Sequence, residues 1–217
     1  MRKPLLVIGY KNYSSWSLRA WLLLKHFGIE FDELRVHLYR AEDAARRAQY
    51  CPTGQVPVLH DGPTVIWESL AICEYLADRH PEMGLWPVNP ATRAHARSIS
   101  AEMHAGFTAL RRTHPLNCRA RGRRYRADAA VIRDVARINA LWNECLNRYG
   151  GPWLCGRFSI ADAMYAPVAS RFVTYGIPVQ GVAAEYSGTM LAHPAMQLWY
   201  RDAEKEVEVL DQYEQGR

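Results

Sequence analysis

The sequence predicts two units in series, a small α/β unit at residues 1–80 and an all-α unit at 93–217, with a linker at 81–92. Three observations carry this. Over the first eighty residues, runs of strand length take turns with stretches of helical period. Beyond residue 92 only the helical period persists. Between the two, Pro81, Gly84, Pro87 and Pro90 crowd a short segment, as in a connection between compact units.

Each element has its own reason. Leu5–Gly9 is an apolar run long enough for a buried strand. Leu18, Trp21, Leu22 and Phe27 recur at helical spacing, and Gly28 follows as a stop. Residues 29–36 alternate as a second strand, and 41–50 read as a weak, polar helix. Val56–His60 and Thr64–Trp67 are strands joined by the turn Asp61-Gly62-Pro63. Ser69–Asp78 is a helix: Ser69 caps it, Arg79 and His80 suit the negative end of its dipole, and Pro81 ends it. The order β-α-β-α-β-β-α predicts a sheet with crossover connections and one antiparallel hairpin. In the second unit, helices are expected at 91–110, 127–149, 160–175 and 194–213, with Gly150-Gly151-Pro152 breaking the second.

Composition bounds the function. With 49% hydrophobic and 23% charged residues, the chain of 217 residues is neither disordered nor fibrous, and it is long enough to bury a core without disulfides. The apolar runs, such as Ala20–Leu24, fall far short of the roughly 20 residues that span a bilayer. The charged start Met1-Arg2-Lys3-Pro4 is followed by too short an apolar run for a signal peptide. A soluble, cytoplasmic protein with no membrane association is expected. The five cysteines contain no C-x-x-C pair, and the eight histidines no H-x-x-x-H or H-x-H pair, so neither a disulfide framework nor a metal site is expected. Neither a phosphate loop nor a dinucleotide fingerprint is present.

Three short segments carry chemistry. In Gly54-Gln55-Val56-Pro57-Val58-Leu59 a proline stands beside a strand start, which places it at an edge or turn. A trans bond is the ordinary expectation, since only about 5–6% of X–Pro bonds in folded proteins are cis. A cis bond would turn the Val56 backbone outward for strand-like pairing with an extended ligand. At the junction Glu68-Ser69, a helix N-terminus offers free N–H groups to a carboxylate and Glu68 could hold an ammonium, so together they suit an α-amino acid head group. A capping serine beside a solvated glutamate is the plainer alternative. Tyr13-Ser14-Ser15-Trp16-Ser17-Leu18-Arg19 puts hydroxyls at the start of the first helix, where they cap it or donate to an anion. With no G-x-S-x-G elbow, a serine here is a donor rather than a nucleophile.

In this order and spacing the segments resemble the cytosolic glutathione transferase superfamily. The strongest part is Gln55-Val56-Pro57-Val58-Leu59 followed by Glu68-Ser69-Leu70-Ala71-Ile72 and Glu74-Tyr75-Leu76. Phe158-Ser159-Ile160-Ala161-Asp162 is similar to the family's buried helix start, with Ser159 and Asp162 as a structural capping box. The resemblance covers nearly the whole chain. It implies a thioredoxin-like N-terminal domain, an all-helical C-terminal domain, glutathione as co-substrate, no metal, a small electrophilic substrate, and a homodimer with Tyr75 and the helices at 69–79 and 91–110 near its interface. Ser14-Ser15-Trp16-Ser17 looks most like the serine-using classes, zeta in particular, although Trp16 stands where zeta has cysteine and Glu68 where zeta often has glutamine. The acidic residue is closer to the tau and theta types.

The resemblance implies a role for each site residue. Ser14, with Ser15 beside it, would activate the glutathione thiol. Val56, presented by Pro57, would pair its backbone with the cysteinyl unit; Glu68 and Ser69 would hold the γ-glutamyl head; Gln55 and Arg40 would reach the glycyl end. Tyr10, Trp16, Met103, His104, Phe107 and Arg111 are the candidates for the electrophile site, with helix packing the alternative for Met103 and Phe107. Arg111, Arg112, Arg119, Arg121, Arg123, Arg124 and Arg126 form a run without an acidic residue. Such a run is ordinarily solvated and mobile, but bordering a substrate cleft it would favour anionic electrophiles. Conjugation is the first reading, with glutathione-dependent isomerisation of the maleylacetoacetate type, or peroxide or disulfide reduction, as alternatives. Reduction is disfavoured by serine at the first-helix position. The readings of another class are a non-catalytic regulator and an RNA-binding protein using the basic run with His114 and Tyr125; nucleic acid is the weaker of these.

Overall fold

The computed structural model describes residues 3–217. Met1 and Arg2, part of the charged start, lie outside the described residues. Strands β1 (Leu5–Ile8), β2 (Asp32–Arg35), β3 (Val58–Asp61) and β4 (Thr64–Trp67) form one sheet in the order β2-β1-β3-β4. β1 runs parallel to β2 and antiparallel to β3, and β3 pairs antiparallel with β4 from Val58↔Trp67 to Asp61↔Thr64. Alternate residues face opposite ways, and both faces are covered. Leu6, Ile8 and Leu59 join the main core with Trp21 and Leu22 of α1 (Ser15–His26) and Ile72 and Leu76 of α3 (Ser69–Arg79). Val7 and Val58 form a second cluster with Val36, Cys51 and Val56, beside the end of α2 (Ala44–Tyr50). Coverage on both sides explains why Leu5–Ile8 is continuously apolar.

β2 is shorter than the expected 29–36. Gly28 takes φ +66, and the Ile29 N–H donates to Leu24 O at 3.0 Å. That closure ends α1 and spends Ile29 on the core instead of the ladder.

Helices α4 (Pro90–Ala105), α5 (Thr108–Thr113), α6 (Ala129–Tyr149), α7 (Ile160–Tyr175), α8 (Val182–Ala192) and α9 (Pro194–Glu204) make the second unit. The single helix expected at 91–110 is two. Phe107 adopts φ +54, and a Cβ on Gly106 would lie 2.7 Å from Glu102 O, so the chain turns where only glycine fits. α8 is absent from the sequence reading. Its start, Gly181, offers no side-chain cap and Gly188 interrupts its period, although Ala183, Tyr186 and Met190 do share a buried face. α7 is buried on nearly every side and packs against α1, α4 and α8, so it ties the two units together. Its start carries the expected capping box: the fully buried Asp162 carboxylate accepts from Ser159 N at 2.9 Å, Leu154 N at 3.0 Å and Ser159 Oγ at 3.3 Å.

The final helix stops at Glu204 rather than Tyr213, and residues 205–217 return across the first unit as a strap. At its base the Lys11 ammonium, nearly buried, lies 2.9 Å from Glu33 Oε1 and 2.8 Å from Asp202 Oδ2, with the Trp21 and Trp199 rings 4.9 and 5.5 Å away. Lys11→Met is expected to lower unfolding stability by about 2 kcal/mol: an enclosed ion pair is broken, but both carboxylates keep some contact with water. Urea denaturation would read this loss.

Candidate functional site

A cleft of about 330 Å³ opens where the start of α1, the loop before β3, α5, α7 and the strap converge. Seven of the sequence candidates line it: Tyr10, Ser14, Ser15, Trp16, Gln55, Val56 and Arg111. Tyr13, the alternative to Ser14 and Ser15 as the thiol contact, lines it too, as do Arg171, Leu210 and Tyr213, which the sequence did not single out. Leu210 and Tyr213 belong to the strap, so a chain end remote in sequence supplies part of the wall.

Ser14 is the N-cap of α1, and its Oγ accepts from Ser17 N at 3.3 Å. The Ser14 hydroxyl donates to Ser17 Oγ at 2.8 Å, and Ser17 Oγ also accepts from Gly9 N at 3.1 Å. A serine hydroxyl has one proton and can rotate it. Here Ser14 gives that proton to Ser17, and turning the hydroxyl about its Cβ–Oγ bond would offer it to an anion in the cleft, which the dipole of α1 favours. Ser17 is thus the acceptor that orients the Ser14 hydroxyl, a partner that sequence reasoning missed, although its i+3 spacing from Ser14 was a readable sign. Tyr13 is spent elsewhere. Its hydroxyl donates to Glu214 Oε1 at 2.7 Å and accepts from Arg119 Nη2 at 3.1 Å. The Tyr10 hydroxyl lies 2.8 Å from His37 Nδ1, and burial pushes its pKa up.

The Val56–Pro57 bond is cis, where the local sequence favours trans. Val56 sits before β3, and its N–H and C=O take no hydrogen bond among the described residues. Gly9 permits this approach: a Cβ there would stand 3.2 Å from Val56 Cγ2 and 3.5 Å from Ser14 Cβ. At the second junction Glu68 holds φ +69, a backbone state that costs a non-glycine residue about 1–3 kcal/mol and gathers at ligand sites. Ser69 next to it is fully buried, and its hydroxyl has no partner. A buried orphan donor at the N-terminus of α3 fits a carboxylate.

The remaining candidates lie outside the cleft wall. Pro57 follows the Val56 that lines it, and Glu68 and Ser69 are not among its lining residues. Arg40 stands 3.9 Å from Glu208 of the strap rather than in the cleft. His104 has Nε2 3.6 Å from Glu68, and burial followed by Arg19 lowers its pKa. Met103 is fully buried and Phe107 nearly so, so both are core residues and the substrate assignment for them is corrected. Exposure limits were set here by packing against α7, not by the cleft.

The basic run is not a free, mobile connection. Arg119 donates to the carbonyls of Glu206 and Glu208, Arg121 to those of Cys118 and Ala120, and Arg123 pairs with Glu214. Arg119 and Arg123 secure the strap. His114 is fully buried, with its Nε2 accepting from Arg126 N at 3.0 Å, which removes it from any polyanion surface. Among the described residues no cluster of His, Cys, Asp and Glu could hold a metal ion, and no helix is long and apolar enough to cross a membrane.

A mixed four-stranded sheet with the N-terminus of its first helix facing a cleft against a helical unit is the glutathione transferase architecture. The chain belongs to the glutathione S-transferase family: the N-terminal domain of that family matches residues 13–79 and its C-terminal domain residues 120–202. It is 31% identical over 194 residues to the glutathione S-transferase GstA of Escherichia coli O157:H7, covering 83% of this chain and 90% of that protein. It is 28% identical over 207 residues to the maleylacetoacetate isomerase of Pseudomonas aeruginosa, covering 87% of this chain and 94% of that protein. In the curated relatives from Caenorhabditis elegans and Mus musculus, the matched stretch is 50% of the protein. The fold is shared with a glutathione transferase homologue from Burkholderia gl BGR1 with bound glutathione, at TM-score 0.72 and 23% identity over 94% of this chain and 100% of that one.

Proposed function

We propose that this protein binds glutathione and adds its sulfur to a small electrophile, with the Ser14 hydroxyl donating to the thiolate. The observation that carries the reading is Ser14 at the N-cap of α1, lining the same cleft as the unpaired backbone of Val56. Val56 pairs with the cysteinyl unit, Ser69 and the first turn of α3 take the γ-glutamyl carboxylate, Glu68 takes the ammonium, and Gln55 approaches the glycyl end. Donation to the charged sulfur lowers the thiol pKa, and each unit corresponds to about 1.4 kcal/mol of thiolate preference. The nucleophile belongs to the co-substrate, so the protein needs no catalytic base of its own. The glutathione-binding domain is assigned to 1–80, the linker to 81–92 and the helical domain to 93–217. A homodimer formed around Tyr75, α3 and α4 goes with this assignment.

A second reading is favoured by the relatives named maleylacetoacetate isomerase. Addition of the thiolate to a cis enone, rotation and elimination would return the trans alkene and the glutathione. Trp16 in place of the zeta cysteine weighs against that particular substrate.

One screen tests the two readings together. The purified protein is offered glutathione with aryl halides, epoxides, enones, maleyl compounds or hydroperoxides. Saturable loss of glutathione with an electrophile supports conjugation. Cis-to-trans conversion without net loss of glutathione supports isomerisation. Absence of glutathione binding by calorimetry, with no turnover, overturns both.

A further inference from the structure

The ends of α1 and α9 meet through two imidazoles. His26 is the last residue of α1, and His193 is the N-cap of α9. His26 Nδ1 lies 2.8 Å from His193 Nε2, and His193 Nδ1 accepts from Ala195 N at 3.1 Å. Both residues are half-buried, and the His26 ring stacks on Phe158 with centroids 3.8 Å apart. Trp153 closes the cluster edge-on, 5.0 Å from Phe158 and 5.9 Å from His193.

Proton counting fixes the state of this pair. A backbone N–H can only donate, so His193 Nδ1 is unprotonated and a neutral His193 carries its proton on Nε2. That proton goes to His26 Nδ1, and His26 keeps its own on Nε2. Both contacts hold only while both rings are neutral. A proton added to His193 lands on Nδ1, faces the Ala195 N–H and uncaps α9. A proton added to His26 lands on Nδ1 and faces the His193 Nε2–H. Moving the His193 proton round to Nδ1 would relieve that clash, with the same loss of the cap.

Nothing nearby offsets the added charge. Carboxylates stand within ion-pair reach of His37, His80 and His104, and among the described residues neither ring of this pair has one. Lys25 of α1 lies over the Trp21 and Phe31 rings, and Arg157 lines the hollow beside His26. Glu185 of α8 is exposed, and Asp162 at the start of α7 is held by Ser159 and Leu154. Burial first, and His193 after it, lower the His26 pKa from 6.5 to about 4, and burial lowers that of His193.

The joint has leverage on the cleft. Trp199 of α9 meets Trp21 of α1 edge-on at 5.1 Å and donates to Lys11 O at 2.8 Å. The strap that follows α9 supplies Leu210 and Tyr213 to the cleft wall. We propose that the His26–His193 pair is an acid-operated clasp: one added proton parts the end of α1 from the start of α9 and loosens α9 with the strap behind it. The clasp does not depend on the thiolate chemistry. A histidine lowered in the folded state gives its full stabilisation above pH 6.5 and loses it as pH falls from there to the folded value. For 6.5 and about 4, the folding equilibrium constant falls about 30-fold between pH 8 and pH 5.

The test compares the full-length protein with the double variant His26→Gln/His193→Asn. The glutamine still accepts, the asparagine still caps α9, and neither titrates. In guanidinium denaturation the ratio of folding constants, wild type over variant, is expected to fall at least tenfold from pH 8 to pH 5; Asp162 titrates in both proteins and cancels. In amide exchange, corrected for intrinsic rates, residues 195–213 of the wild type are expected to lose at least tenfold of their protection at pH 5 while α6 keeps its own. The variant should keep both. An equal pH dependence of stability in the two proteins overturns the proposal, and so does a stability difference without a difference in exchange over 195–213. If the double variant does not fold, the wild type alone decides. Exchange over 195–213 should then accelerate with the same midpoint at which the His26 ring protons titrate by NMR, below pH 5.5, and separate midpoints, or a shared one at or above 5.5, overturn the clasp.

Discussion

Ser14→Ala is expected to lower glutathione-dependent turnover about 100-fold at neutral pH while changing the dissociation constant of glutathione less than about threefold. The magnitude follows from losing one donor aimed at a developing or resident anion, which elsewhere costs 10²–10³ in rate. The sign with pH is definite. The hydroxyl stabilises the thiolate, so in the wild type the rate rises through a depressed thiol pKa; without it, that rise moves to higher pH, and the variant recovers part of its activity in alkaline buffer. Ser17→Ala, which removes the acceptor that orients the Ser14 hydroxyl but leaves Ser14 itself, should change the rate by no more than about fivefold, within the usual range for a lost hydrogen bond. Tyr13→Phe should act on stability, because the Tyr13 hydroxyl is engaged by Glu214 and Arg119. Thiolate absorbance across pH, with steady-state rates alongside, reads all three. Loss of activity in Tyr13→Phe or Ser15→Ala with Ser14→Ala intact would refute the assignment.

Asp162→Ala is expected to be the most damaging single change outside the cleft, costing about 3 kcal/mol or more and lowering the folded yield before any rate is affected. It would strand two buried N–H donors, of Ser159 and Leu154, and the Ser159 hydroxyl; an unsatisfied buried group costs about 1–3 kcal/mol. Asp162→Asn separates the charge from the acceptor. Its one carbonyl oxygen can serve one N–H, while its amide faces the other, so a loss of about 2 kcal/mol is expected. Burial pushes the Asp162 carboxyl from 3.8 up to about 7. A group raised in the folded state gives its full stabilisation below the unfolded pKa and loses it as pH rises through the folded one. The wild type should therefore lose stability between about pH 4 and 7, by up to roughly 1.4 kcal/mol per pH unit, and the asparagine variant should not. The gap between them narrows with rising pH. Guanidinium denaturation at pH 5 and pH 8 measures it, and a gap that widens at pH 8 would contradict the assignment.

What could be read along the chain was local chemistry. The strands at 58–61 and 64–67 were visible because a turn signal sits between two apolar runs, and the capping box at Ser159 and Asp162 because its partners are three residues apart. Ser14 and Val56 were legible as candidates by the same token, each being part of a short segment. The helix Val182–Ala192 was not, since a glycine start and an internal glycine erased its signals. The break at Gly106 was hidden because a single glycine in a helical run is usually tolerated.

The two-unit order, the strand and helix types and the short segments that carry donors follow from local signals in the chain, because each depends on residues within a few positions of one another. Tertiary structure alone decided which candidates share a cleft. It sent Met103 and Phe107 into the core, turned Arg119 toward the carbonyls of Glu206 and Glu208 and Arg123 toward the Glu214 carboxylate, some ninety residues away, drew the 205–217 strap over the first unit, and set Arg19 and Arg111 against Trp16. Those outcomes balance burial against charge between elements distant in the chain, and neither periodicity nor spacing along a sequence encodes that balance.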